Sequence, residues 1–69
     1  MTDTTRFVAM SAQALIDAFG IDAGRVAAER AAAKLRHGDA EGARIWLAVR
    51  HEIEVRQAVD DIQPRRAAK

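Results

Sequence analysis

The chain has 69 residues, 11 Lys and Arg against 10 Asp and Glu, no Cys, and a 49% hydrophobic share in which two Phe and one Trp are the only aromatics. That length holds one domain with a small core, the lack of Cys rules out disulfides and thiolate metal centres, and a net charge of +1 gives no general attraction to nucleic acid or anionic lipid. The opening MTDTTR lacks the cationic start of a secretion signal, and no segment nears the roughly 20 apolar residues of a membrane span, so the expectation is a soluble, cytoplasmic protein with no membrane contact.

From Thr5 to Phe19, the residues Val8, Ala12, Leu15, Ile16 and Phe19 recur at helical spacing, while Arg6, Gln13 and Asp17 gather opposite. This predicts a first helix over 5–19, capped by Thr4 or Thr5 and ended by Gly20 in a left-handed conformation. Ile21 is predicted to touch Ile16 across the helix end and to staple onto Val26, with Asp22 as N-cap of the next helix. That second helix, over 23–37, carries Gly24, Ala27, Ala28, Ala31, Ala32 and Leu35 on one face and Arg25, Glu29, Arg30 and Arg36 outside. Its stripe of small residues admits a close neighbour.

HGDAEGARIWL, from His37 to Leu47, reads as a tight corner: Gly38 ends the second helix, Asp39 caps the third, and Glu41 places negative charge at its positive end. Gly42, in the first turn, is placed to admit a neighbouring backbone. Trp46, beside Ile45, Val49 and Ile53, is expected to be the main core plug facing the alanine stripe. The third helix runs over 40–62, since nothing breaks it before Pro64, and Arg44, Arg50, Glu52, Glu54 and Arg56 are spaced for ion pairs along it.

This last helix is apolar on two sides. Gly42, Ile45, Trp46, Val49 and Ile53 share one, and Leu47, Ala48, Val55, Ala58, Val59 and Ile62 lie roughly opposite. At 1.5 Å per residue it is about 33 Å long against roughly 20–23 Å for the others, so part of it should overhang. Burying each of Val55, Val59 and Ile62 is worth about 1.5–3 kcal/mol, comparable with the net stability of so small a domain. The expected partner-facing surface is Leu47, His51, Val55, Ala58, Val59 and Ile62, extended by Phe7 and Met10, and the expected partner is a second copy in a homodimer, with docking on a larger protein as the other possibility. The tail PRRAAK, 64–69, is expected to be disordered beyond a single domain over 1–63.

Chemical motifs are few. His37, Asp39, Glu41, His51 and Glu52 include metal-ligand types, but HEIEV puts Val55 where a zinc-peptidase helix carries its second His. No Gly-rich phosphate loop is present, and Ser11 lies within the first helix without an evident His and acid; the expectation is a non-enzyme with no cofactor and no metal. The alternative is a helix-turn-helix-like DNA-associated regulator in which Arg25, Arg30 and Lys34 of the second helix reach duplex DNA. Ile16, where such motifs need a small side chain, and Glu29 among the basic residues argue against nucleic acid.

GDAEGA, Gly38 to Ala43, resembles the inter-helix turn of a tetratricopeptide repeat, with Gly38, Asp39, Ala43 and Leu47 matching. Ala27, Arg30, Lys34, Arg50 and Val55 depart from that repeat, so the resemblance implies a helical hairpin and no peptide-binding solenoid. The stretch 31–53, with its GD corner, Trp46 and amphipathic helix, also resembles short bacterial proteins of unknown function. The combined expectation is an all-α domain of three helices, the second and third an antiparallel hairpin and the first packed across them.

Overall fold

A computed structural model of the chain describes the backbone over residues 3–62 and side chains over 3–59. The side chain of Ile62, assigned above to the partner-facing surface, and the basic tail lie outside the described residues. Every described residue is helical except the corner 37–39, and none is in a strand. Helix α1 spans Asp3–Phe19, a 3-10 turn spans Gly20–Asp22, α2 spans Ala23–Arg36 and α3 spans Ala40–Ile62. No coil residue separates α1, the 3-10 turn and α2. The described residues therefore form two helical segments, 3–36 and 40–62, the first bent at Gly20, and not three rods joined by two open corners.

The bend corrects two expectations. Gly20 has φ +59°, and the chain winds straight into the 3-10 turn. Asp22 consequently has helical backbone angles (φ −86°, ψ −2°) and its side chain makes no capping hydrogen bond. Ile21 is thrown outward, 91% exposed, and Ala23 takes the buried place instead. A staple needs an extended residue before the cap, and none exists here.

The second corner forms as the residues dictate. Gly38, at φ +76°, occupies the left-handed position; its N–H donates to the Leu35 carbonyl (3.0 Å), and that of Asp39 donates to the Lys34 carbonyl (2.8 Å). This paired pattern satisfies the last carbonyls of α2. Such a motif commonly adds an apolar contact between the residues that here are Lys34 and Asp39, which instead form an ion pair at 3.8 Å. Asp39 then caps α3, its carboxylate accepting from the Gly42 N–H at 2.8 Å. A Cβ on Gly42 would fall onto that carboxylate, so Gly42 makes room for the cap rather than for a neighbouring backbone.

The core is thin. Ala12 and Leu15 of α1, Ala23 and Ala27 of α2, and Val49 and Ile53 of α3 form it, with Val8, Ile16, Val26 and Trp46 packed around. Its largest fully buried side chains are Ile53 and Val49, so Trp46 is not the central plug. The indole sits at the edge, the Phe7 ring meeting it edge-on (centroids 5.7 Å apart, planes at 79°) and the Arg30 guanidinium 5.2 Å from its centroid. On the α2 side the buried residues are the small Ala23, Ala27 and Ala31, which leave room for a neighbouring helix.

Pairs along the helices fix their directions. Arg30–Trp46 and Lys34–Asp39 run oppositely along α2 and α3, whereas Phe7–Trp46, Gln13–Arg56 and Gly20–Gln57 run the same way along α1 and α3. The Arg56 guanidinium donates to both Glu52 (2.9 Å) and Gln13 (2.8 Å), and the Gln57 amide donates to the Gly20 carbonyl (2.9 Å). The first segment therefore accompanies α3 as far as Gln57. The expected overhang shrinks to the turn beyond it, because α1 lies farther along α3 than helix lengths alone suggested.

Candidate functional site: the open face of the third helix

With its core-facing residues fixed, the remaining side of α3 is legible from the 100° step between helical residues. Ala43, Val49 and Ile53 are buried, and Leu47, Ala48, His51, Val55, Ala58 and Val59 are all exposed on the opposite side. Leu47 is 45% exposed, Val55 43% and Val59 51%. The structure thus brings the described residues of the expected surface onto one face. They are open because they point away from the core; overhang explains only the last of them.

Polar residues border this face in two rows. Arg50 donates to Glu54 at 3.0 Å on one side, and Arg56 donates to Glu52 at 2.9 Å on the other. Each pair is one helical turn long and neutral, so the apolar strip is flanked by charge without a net field. Alongside it, a shallow cleft of about 410 Å³ opens between α1 and α3, with Thr4, Thr5 and Val8 on one wall and Ala48, His51 and Glu52 on the other. Ala48 belongs to both strip and cleft. The sequence places Ala48 on this side of the helix, though the expected partner-facing set does not include it.

Other sequence-level candidates do not converge. Phe7 leans on Trp46, on the side of α1 away from the cleft wall, and Met10 is exposed. Leu35, expected on the inward stripe of α2, is 58% exposed. Among the described residues, no three His, Asp or Glu side chains gather closely enough to hold a metal ion. His37 instead closes the end of α2, its Nδ1 lying 2.8 Å from the Ala33 carbonyl.

The three basic residues of the DNA reading are each engaged within the chain. Arg25 pairs with Glu29 at 3.0 Å and Asp22 at 3.5 Å, Arg30 lies over Trp46, and Lys34 meets Asp39. The hydrogen bond to Glu29 and the charge of Asp22 raise the pKa of Arg25 above the ordinary guanidinium value. Arg25 and Arg30 also project about 140° apart around the helix, so the three do not form one row.

No helix among the described residues is long and apolar enough to cross a membrane. Comparison with protein-family models, with curated proteins and with solved structures finds no match to this chain.

Proposed function

We propose that the chain is a small, non-enzymatic helical interaction module of the cytoplasm that self-associates, as a homodimer, through the open face of α3. In this reading α2 and α3 act as an antiparallel hairpin with α1 lying along α3 in the same direction, a platform that presents the strip. The observation that carries it is that Leu47, Ala48, His51, Val55, Ala58 and Val59 are exposed together on the side of α3 opposite the core. The two flanking ion pairs are satisfied within each copy and Arg44 adds one exposed cation at the start of the strip, so the remainder fits an apolar surface, and a second copy offers one. Covering the exposed halves of Leu47, Val55 and Val59 is worth about 1 kcal/mol each. Six such side chains in a dimer amount to about 6 kcal/mol of burial, from which the lost freedom of two associating bodies is subtracted, so the dissociation constant lies toward the millimolar end. The contact is reversible rather than permanent.

Replacing Val55 and Val59 by Asp puts two charges per copy into the strip while leaving Val49 and Ile53 untouched. The variant should sediment as a monomer with its far-UV circular dichroism unchanged. An unmutated protein that stays monomeric at millimolar concentration overturns the reading, and points to a larger partner for the same face.

A further inference from the structure

We propose that the bend at Gly20 is a hinge, and that the chain has a second, minor folded state in which residues 3–36 run as one straight helix and α1 is exchanged between two copies. The seat of α1 is already defined: Ala12 and Leu15 pack there with Ala23, Ala27, Val49 and Ile53. An α1 supplied by a second copy makes the same contacts. Only the path of the chain between α1 and α2 differs.

The apolar pattern does not require the bend. Ala12, Leu15, Phe19, Ala23, Ala27 and Ala31 follow at steps of three and four residues, and at 100° per residue they keep within an arc of about 160° on one side of an unbroken helix. The stripe passes through the turn Gly20–Asp22 in phase. Asp22 and Ala23 already have helical backbone angles, and Gly20 is the one residue of the turn with a positive φ. Returning it to helical angles, with Phe19 adjusting from ψ −7°, joins segments of 17, 3 and 14 residues into a rod about 50 Å long.

The bend is lightly held. No side chain caps either the turn or α2, and the ties beside it are surface hydrogen bonds, from Gln57 to the Gly20 carbonyl (2.9 Å) and from Arg56 to Gln13 (2.8 Å). In a straight helix the Gly20 carbonyl accepts from the N–H of Gly24 instead. The corner 37–39 is shut by two backbone hydrogen bonds, the Asp39 cap and the Lys34–Asp39 ion pair, so opening falls at Gly20 and leaves the α2–α3 hairpin intact. Because α1 runs with α3 and α2 runs against it, two straightened segments lie antiparallel, each α1 on the other copy's hairpin, and the exchange closes on a two-fold axis at the hinge. Phe19, 45% exposed in the bent chain, then lies on the inward side of the rod, opposite Ala23 of the other copy. The exchanged pair thus covers a ring that the single subunit leaves open.

Gly20→Ala tests the hinge, because an added Cβ there meets nothing within 4 Å and the substitution acts through the backbone alone. Alanine disfavours the left-handed bend and favours the helix by about tenfold or more per hinge, so the exchanged pair should bind about a hundredfold or more tighter. Placing the change in a Val55→Asp, Val59→Asp background removes the outer strip of α3 from the measurement. Gln13→Cys and Arg56→Cys, added to a chain with no other Cys, let a short bis-maleimide link α1 to α3, within one chain when bent and between two chains when exchanged. The Gly20→Ala chain should sediment as a dimer with undiminished far-UV circular dichroism and give a two-chain band on a denaturing gel, whereas its Gly20 parent should be monomeric and give a one-chain band. A folded, monomeric Gly20→Ala chain overturns the inference, as does a dimer whose links stay within one chain. An unfolded Gly20→Ala chain overturns it equally, because the straight segment then has no folded form. None of these outcomes bears on the strip of α3, which the mass of the unmutated chain tests separately.

Discussion

Gly24 and Gly42 sit near the starts of α2 and α3, and a sequence reading treats them alike, as small residues that let something come close. Their surroundings separate them. A Cβ on Gly42 would meet the Asp39 carboxylate that caps α3, whereas a Cβ on Gly24 would stand 4.0 Å from Ile53 Cγ2, an ordinary packing distance. Gly24 has no positive φ to preserve. Gly24→Ala should therefore stabilise the fold, by about 0.5–1 kcal/mol, because alanine narrows the unfolded chain's freedom and adds a contact to a buried isoleucine. Urea denaturation at fixed protein concentration checks it; a lower midpoint would mean that α2 and α3 are closer at Gly24 than that distance allows.

At the scale of elements, the two ends of α2 show what sequence makes legible. The corner 37–39 was legible because a left-handed Gly38 followed by a capping Asp39 is a local solution, complete within the nine residues from Lys34 to Gly42. The bend at Gly20 was not, because Gly-Ile-Asp admits two continuations: an extended residue that staples, or a 3-10 turn that keeps winding. The choice falls to Ala23, which the packed arrangement buries completely. Ile21 supplies the check. At 91% exposure its side chain has little burial to lose, so Ile21→Ser should shift stability by less than about 0.5 kcal/mol, where a staple would make the change cost about 1 kcal/mol or more. The open face of α3 was legible in its membership and illegible in its cause. Periodicity separates the two sides of a helix, but how far a neighbour slides along it depends on contacts distant in sequence, such as Gln13–Arg56 and Gly20–Gln57.

Across the whole molecule, a core whose largest fully buried side chains are one isoleucine and one valine leaves little stability in reserve, while half-exposed Leu47, Val55 and Val59 stand ready on the outer side of the same helix. A contact that forms only between folded copies stabilises each of them by mass action, and the gain grows with the logarithm of concentration. The midpoint of thermal unfolding should therefore rise with protein concentration. Between ten micromolar and one millimolar, a span that reaches the expected dissociation range, the added stability approaches about 0.5 kcal/mol per copy. In a domain of this size each kcal/mol moves the midpoint by about 4–8 °C, so the rise is measurable by circular dichroism in cells of different path length. Val55→Asp with Val59→Asp should unfold at one temperature throughout that range, since neither side chain belongs to the core. A concentration-independent midpoint in the unmutated chain would mean that the thin core sustains the fold alone, and that the strip on α3 contributes nothing to stability through a second copy.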